Sequence, residues 1–185
     1  MTETLTTLLP ATGTYGIDIS HSHVGFKVRH LMVSKTRGRF TDFDGTVTIA
    51  DEPLESSLDV TVQMASIDTR DEQRDGHLRS PDFFDVEQYP TMRFRSTGLR
   101  QIDDEHFELD GELTVRDTTN PLTLAVTFDG AVTDPWGNDR AAFTARGELD
   151  REAFGLTWNQ ALEAGGVVVG KKVELEIEAE LVKQA

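Results

Sequence analysis

The chain carries 33 acids against 18 lysines and arginines over 185 residues, a formal net charge of -15, and it has no cysteine. The acid excess disfavours phosphate-tracking contact with nucleic acid and charge-driven attachment to anionic membranes. The missing thiols exclude disulfides, thiolate catalysis and cysteine-ligated metal centres, and 37% apolar with 28% charged residues fits one ordinary globular domain.

Residues 1–13 read as a flexible leader ahead of one domain over 14–183. Glu3 is acidic, no lysine or arginine precedes Lys27, and the longest aliphatic run, Val167 to Val169, is too short to span a bilayer. A secretory signal is not expected, so the protein is expected to be cytoplasmic, with no stable membrane insertion.

From Tyr15 onward, apolar residues alternate with polar ones at period two. Tyr15, Ile17 and Ile19 open the series, and Val24, Phe26, Val28 and His30 follow on one parity. A long bent strand carries Phe40, Val47 and Ile49, and the next carries Leu58, Val60, Val62 and Met64. Further on come Met92 and Phe94, then Leu109, Leu113 and Val115, then Leu122, Leu124, Val126 and Phe128. Phe143 and Leu149 mark the penultimate strand, and Val173 to Leu181 the last. Each strand has one apolar and one polar face, as an antiparallel sheet with one wet side requires. About eight such strands suit a closed barrel or a sandwich, and alternation alone does not separate the two. Gly45, Gly111 and Gly147 inside strands suggest the bends of barrel corners.

Two segments break this pattern. In "TRDEQRDGHLRSPDFFDVEQYP" (69–90), Thr69 and Glu72 have the spacing of a capping box. Ser80-Pro81-Asp82 reads as a second helix start, which leaves Phe83 and Phe84 pointing inward. Ser80, His77 and Asp71 supply the residue types of a hydrolytic triad, but no nucleophile elbow accompanies them. The other segment, "DREAFGLTWNQALEAGG", carries Phe154 and Trp158. His21 and His23 make the best metal-like pair, with no third ligand at a telling spacing, so no metal and no cofactor are expected. The inward aromatics and methionines fit an ordinary core and a ligand-holding lumen equally well.

Four stretches together resemble the YceI-like proteins: "YGIDISHSHVGFKVRHLMVSKTRGRFTDFDG", "SIDTRDEQRDGHLRSPDFFDVEQYPTMRFRST", "GELTVRDTTNPLTLAVTFDG" and "DPWGNDRAAFTARGELDREAFGL". The second has the most specific pattern, Arg74-Asp75-x-His77-Leu78 followed by Asp82-Phe83-Phe84. The resemblance implies an all-β, lipocalin-like, eight-stranded antiparallel barrel with short helices flanking a tunnel. It further implies non-catalytic binding, carriage or storage of a polyisoprenoid, an isoprenoid quinone or another long-chain amphiphile, and a homodimer as one state. The ligand-binding wall is then expected at Phe26, Val28, Phe40, Met64, Met92 and Phe94 together with Leu113, Leu124, Val126 and Phe143. Phe83, Phe84, Phe154 and Trp158 are expected as lids. Two readings compete: an enzyme using Asp18, His21, His23 or His77 as acid–base groups on a small hydrophobic substrate, and a structural or stress-response protein with a filled core. The family's tryptophan near the start is Tyr15 here.

Overall fold

The computed structural model describes residues 9–185, and the expected leader lies outside the described residues as far as residue 8. Alternation becomes strand almost everywhere it was read. β1 (Gly13–Ile17), β2 (His23–His30), β3 (Ser34–Phe40), β4 (Phe43–Ile49), β5 (Ser57–Gln63) and β6 (Ile67–Asp68) precede the first excursion. β7 (Thr91–Gln101), β8 (His106–Val115), β9 (Thr118–Thr133), β10 (Asp139–Asp150) and β11 (Val169–Lys183) follow it.

These eleven segments build eight strands. β1 and β2 are halves of one strand, interrupted by a 3-10 turn at Ile19–His21, and β5 and β6 are likewise separated at Met64–Ser66. Thr41 and Asp42 make the bend between β3 and β4 that the sequence suggested. The pairing confirms the grouping: β2 pairs with β3 and β1 with β4, while β3 pairs with β6 and β4 with β5. β7 to β11 continue as an antiparallel meander. β11 then pairs with both β1 and β2, so the barrel is closed and no sheet edge remains along the seam. That closure, through Tyr15↔Lys183 and Ile17↔Leu181, decides between barrel and sandwich.

Chain direction sorts the connections onto two ends. One end collects the 31–33 turn, the 69–90 excursion, the 116–117 turn and the 151–168 excursion. The other collects the 50–56, 102–105 and 134–138 loops with residues 9–12 and the C-terminus.

The 69–90 excursion departs from expectation in two places. It contains α1 (Glu72–Arg79), but the N-cap is Asp71, whose carboxylate accepts from Arg74 N–H at 3.0 Å. Thr69 has a different role: its N–H and hydroxyl both donate to the buried Asp75 Oδ1, at 2.9 and 2.5 Å. A buried carboxylate holds two donors more strongly than a glutamate at the helix surface would. The second helix expected at Ser80 is instead a run of turns. The Ser80 hydroxyl is spent on the His77 carbonyl at 2.6 Å, and Asp85 sits at a positive φ of 48° that no helix continues through. At Gly45, Gly111 and Gly147 a neighbouring side chain lies against the backbone, and β7 shifts register opposite Gly111.

Candidate functional site

The barrel encloses a cavity of about 240 Å³ whose wall is carbon almost throughout. Inward side chains of every strand except the short β6 contribute, and the non-apolar positions are Ser22, Gly25, Ser56, Ser57 and Glu178. Glu178 alternates with the inward Ile177 and Ala179, so its carboxylate falls on the outer parity of β11. An eight-stranded barrel is wide enough to be filled by side chains or to hold one ligand, and here two glycines let inward rings sit close against the wall. A Cβ on Gly38 would lie 2.3 Å from Phe26 Cζ, and one on Gly111 would lie 2.3 Å from Phe94 Cζ. Both rings therefore reach across to a neighbouring strand with their tips against its glycine, and both border the cavity.

Eight of the expected wall residues line this cavity: Phe26, Phe40, Met92, Phe94, Leu113, Leu124, Val126 and Phe143. Val28 and Met64 do not. Val28 stands opposite Thr36 nearer the helical end, and Met64 is fully buried in a cluster with Phe40, Phe43, Val62 and Ile67. The turn at Met64–Ser66 breaks the strand parity on which Met64 was placed. The wall also contains residues that were read as inward without being singled out, among them Val24, Leu58, Val60, Leu109 and Leu122. Period two contained that signal. An aliphatic side chain at that period does not by itself separate a lumen wall from an ordinary core.

The four expected lids all lie at the helical end, in two layers. Phe84 packs on Phe40 with centroids 6.3 Å apart and touches both neighbouring core clusters, and Phe154 is buried with Leu156, Val115 and Leu122. Outside them, Trp158 meets the edge of His77 at 4.7 Å and Phe83 at 5.4 Å, so the two excursions clasp one another. None of the four borders the cavity itself. They seal its end from one layer further out.

Three arginines fasten this seal. Arg74 donates to Thr69 Oγ1 and to the Thr69 carbonyl, at 2.8 and 2.7 Å. Arg79 reaches the carbonyls of Ala65 and Ile67, both at 3.0 Å. Arg151 is 3% exposed and gives its guanidinium to four carbonyls: Gly170, Leu156, Trp158 and Val169. Burial pushes its pKa below the usual arginine range. The family-like motif around Arg74 and Asp75 is therefore a staple between α1 and the end of β6.

The triad residue types do not assemble. His77 Nε2 pairs with Asp82 at 2.8 Å, while Ser80 and Asp71 serve backbone groups elsewhere. Asp18 and His21 do meet, at 3.0 Å, but His21 Nδ1 faces both Asp18 and the Ser20 hydroxyl. A relay needs the nucleophile and the acid on opposite ring nitrogens. Asp18, His21 and Glu180 also converge as a metal-like trio, without His23. Arg140 occupies the same space, donating to Asp18 and Glu180 at 2.9 Å each and to Asp134 at 2.7 Å. A guanidinium thus already answers the negative charge a cation would need.

That network has a pH signature. Hydrogen bonds from Ser20, His21 and Arg140 hold the Asp18 carboxyl well below the usual range, and those from Arg140 and Asn138 do the same for Asp134. A depressed folded pKa contributes stability above the unfolded value of about 4, and that stability is lost as pH falls through the folded values. Arg140→Gln should therefore flatten the dependence of urea stability on pH below about pH 4. An unchanged slope in that window would show the network to be energetically idle.

Fold and cavity together define a class: a closed up-and-down β-barrel that holds an apolar space behind a plugged end, as lipocalin-like carriers do. The model of the YceI-like domain matches residues 15–181, and the chain belongs to that family. It is 40% identical over 143 residues to a UPF0312 protein of Photorhabdus laumondii, covering 76% of this chain and 74% of the relative. Among solved structures it is similar to BcnA of Burkholderia cenocepacia, with TM-score 0.78, 20% identity and coverage of 89% and 98% of the two chains. A domain from Saccharophagus degradans described as polyisoprenoid-binding superposes with TM-score 0.72 at 12% identity, over 94% and 100%. At that identity the likeness is one of fold.

Proposed function

We propose that this protein binds a long-chain isoprenoid, an isoprenoid quinone or a similar amphiphile in the barrel and carries or stores it without catalysis. The observation that carries this reading is the cavity: a carbon wall drawn from nearly every strand, bordered by Ser56 and Ser57 towards one end and by the Phe40–Phe84 packing towards the other. Each methylene buried there contributes about 0.8 kcal/mol, so a chain of several prenyl units offsets the cost of ordering it. Phenylalanine rings and the flexible Met92 suit branched, irregular chains. The expected ligand-binding role of Phe26, Phe40, Met92, Phe94 and the aliphatic wall belongs to this proposal. So do a site that needs no cofactor, a cytoplasmic location and dimerisation. The description of the Saccharophagus domain as polyisoprenoid-binding agrees with it.

An enzymatic alternative would use the Asp18–His21 pair. His21 is exposed and the pair lies outside the cavity wall, which favours a structural role for it.

Native mass spectrometry of gently purified protein should show a mass in excess of the chain, and solvent should extract a lipid that rebinds at one per barrel. A protein that arrives empty and takes up neither prenyl alcohols nor prenyl quinones would end the proposal.

A further inference from the structure

The two ends of the barrel differ in what they expose. At the helical end the apolar tip Leu31-Met32-Val33 stands over the plugged side, away from the cavity wall. At the other end, Leu54, Ile102 and Trp136 project from three separate loops, Val132 is exposed near the end of β9, and Leu9 joins them from the N-terminal segment. Leu54 lies in the loop that leads into Ser56 and Ser57, and Ile102 follows the strand that supplies Leu99, so two of these tips stand beside segments that border the cavity.

Trp136 is the most unusual of them, at 81% exposed. Its loop is not loose. Asp134 Oδ1 accepts from Trp136 N–H at 3.0 Å and Asn138 N–H at 2.9 Å, and Gly137 takes a φ of 86° to close the turn. Asp134 is in turn neutralised by Arg140. The turn therefore holds an indole out in water on a rigid mount, with its nearest acid already paired. An indole so placed suits a membrane–water interface, where its apolar body and polar N–H are both satisfied.

The charges at this end select the surface. Asp51, Glu52 and Glu55 surround Leu54, and Asp104 and Glu105 follow Ile102. All are exposed, and none forms an ion pair among the described residues. Anionic headgroups would be repelled, whereas the outward cations of choline or ethanolamine headgroups complement this ring. A long prenyl chain has almost no free concentration in water, so a barrel that loads one must meet a bilayer at its mouth.

We propose that this end docks on zwitterionic bilayers, with Trp136, Ile102 and Leu54 entering the interface and the acid ring facing the headgroup cations. The inference rests on the lipid-carrier reading for its purpose, but docking can be measured with the cavity empty. The full chain should co-sediment with phosphatidylcholine vesicles, and including phosphatidylglycerol should weaken that binding at low salt. Trp136→Ala should reduce vesicle binding about tenfold, as expected for losing one buried aromatic, while uptake of a fluorescent prenyl alcohol delivered on cyclodextrin stays as in the parent. In a Trp158→Phe background, Trp136 fluorescence should shift to the blue on adding phosphatidylcholine and be quenched by lipids brominated near the headgroup. Three results would overturn the proposal: no co-sedimentation, binding indifferent to Trp136→Ala, or a dimer in ultracentrifugation that Trp136→Ala converts to monomer. Failure of prenyl alcohol uptake with vesicle binding intact would instead remove the carrier reading and leave the docking surface standing.

Discussion

Arg151→Met is expected to lower the unfolding free energy by about 3–5 kcal/mol and to speed the release of any bound lipid. Methionine matches the aliphatic stem of arginine and keeps its packing. It cannot replace the donors that reach Gly170, Leu156, Trp158 and Val169. Each carbonyl left buried without a partner costs about 1–3 kcal/mol, partly relieved where the loop can turn it to water. Relief means letting the 151–168 excursion move, and that excursion carries Phe154 and Trp158 across the plugged end. Stability and retention should therefore fall together. Arg151→Lys keeps the charge but offers a compact ammonium in place of a planar fork, so it should fall between the two. Urea unfolding and the off-rate of a fluorescent prenyl probe measure both effects. A methionine variant that unfolds at the parental urea concentration would show that the guanidinium fastens nothing.

The other large effect is expected inside the barrel. Gly111→Ala puts a methyl 2.3 Å from Phe94 Cζ and 2.7 Å from the Arg95 carbonyl oxygen. The carbonyl belongs to a paired strand and yields little, so the ring has to leave the wall and swing towards the axis. Overpacking of this kind costs about 1–3 kcal/mol of stability. The displaced ring also takes the space of roughly two ligand methylenes, about 1.6 kcal/mol or on the order of tenfold in affinity. Gly111→Ala combined with Phe94→Leu should recover affinity, because the shorter side chain clears both the methyl and the lumen. Titration with a prenyl alcohol compares the three proteins. Equal affinity in all of them would mean that the ligand does not lie against Phe94.

Most of the strands, and nearly all of the inward side chains, were legible because strand periodicity is local. Val24 and Phe26, or Leu122 and Leu124, declare their face from two-residue spacing alone. The errors fall where a local rule met a competing long-range partner. Thr69 looked like a cap until the buried Asp75 took both its donors, and Met64 looked inward until a turn removed it from strand parity. Ser80 had the composition of a helix start, yet its hydroxyl was claimed by the turn before it. Arg151 was passed over as a site residue because an arginine in a mixed segment carries no sign that it will be buried without an acid.

The all-β character, the count of about eight strands, the two excursions and the apolar face that becomes the wall are written in local residue order. Each of these depends on spacing within a few residues, and the four family-like stretches added the expectation of a barrel with a tunnel. Long-range packing settles that β11 closes against β1, that both excursions meet at one end, and that Phe26 and Phe94 reach glycines on neighbouring strands. Those outcomes depend on registers such as Tyr15↔Lys183 and on contacts such as Trp158 with His77. The pairing partners lie far apart along the chain, and no local spacing records them.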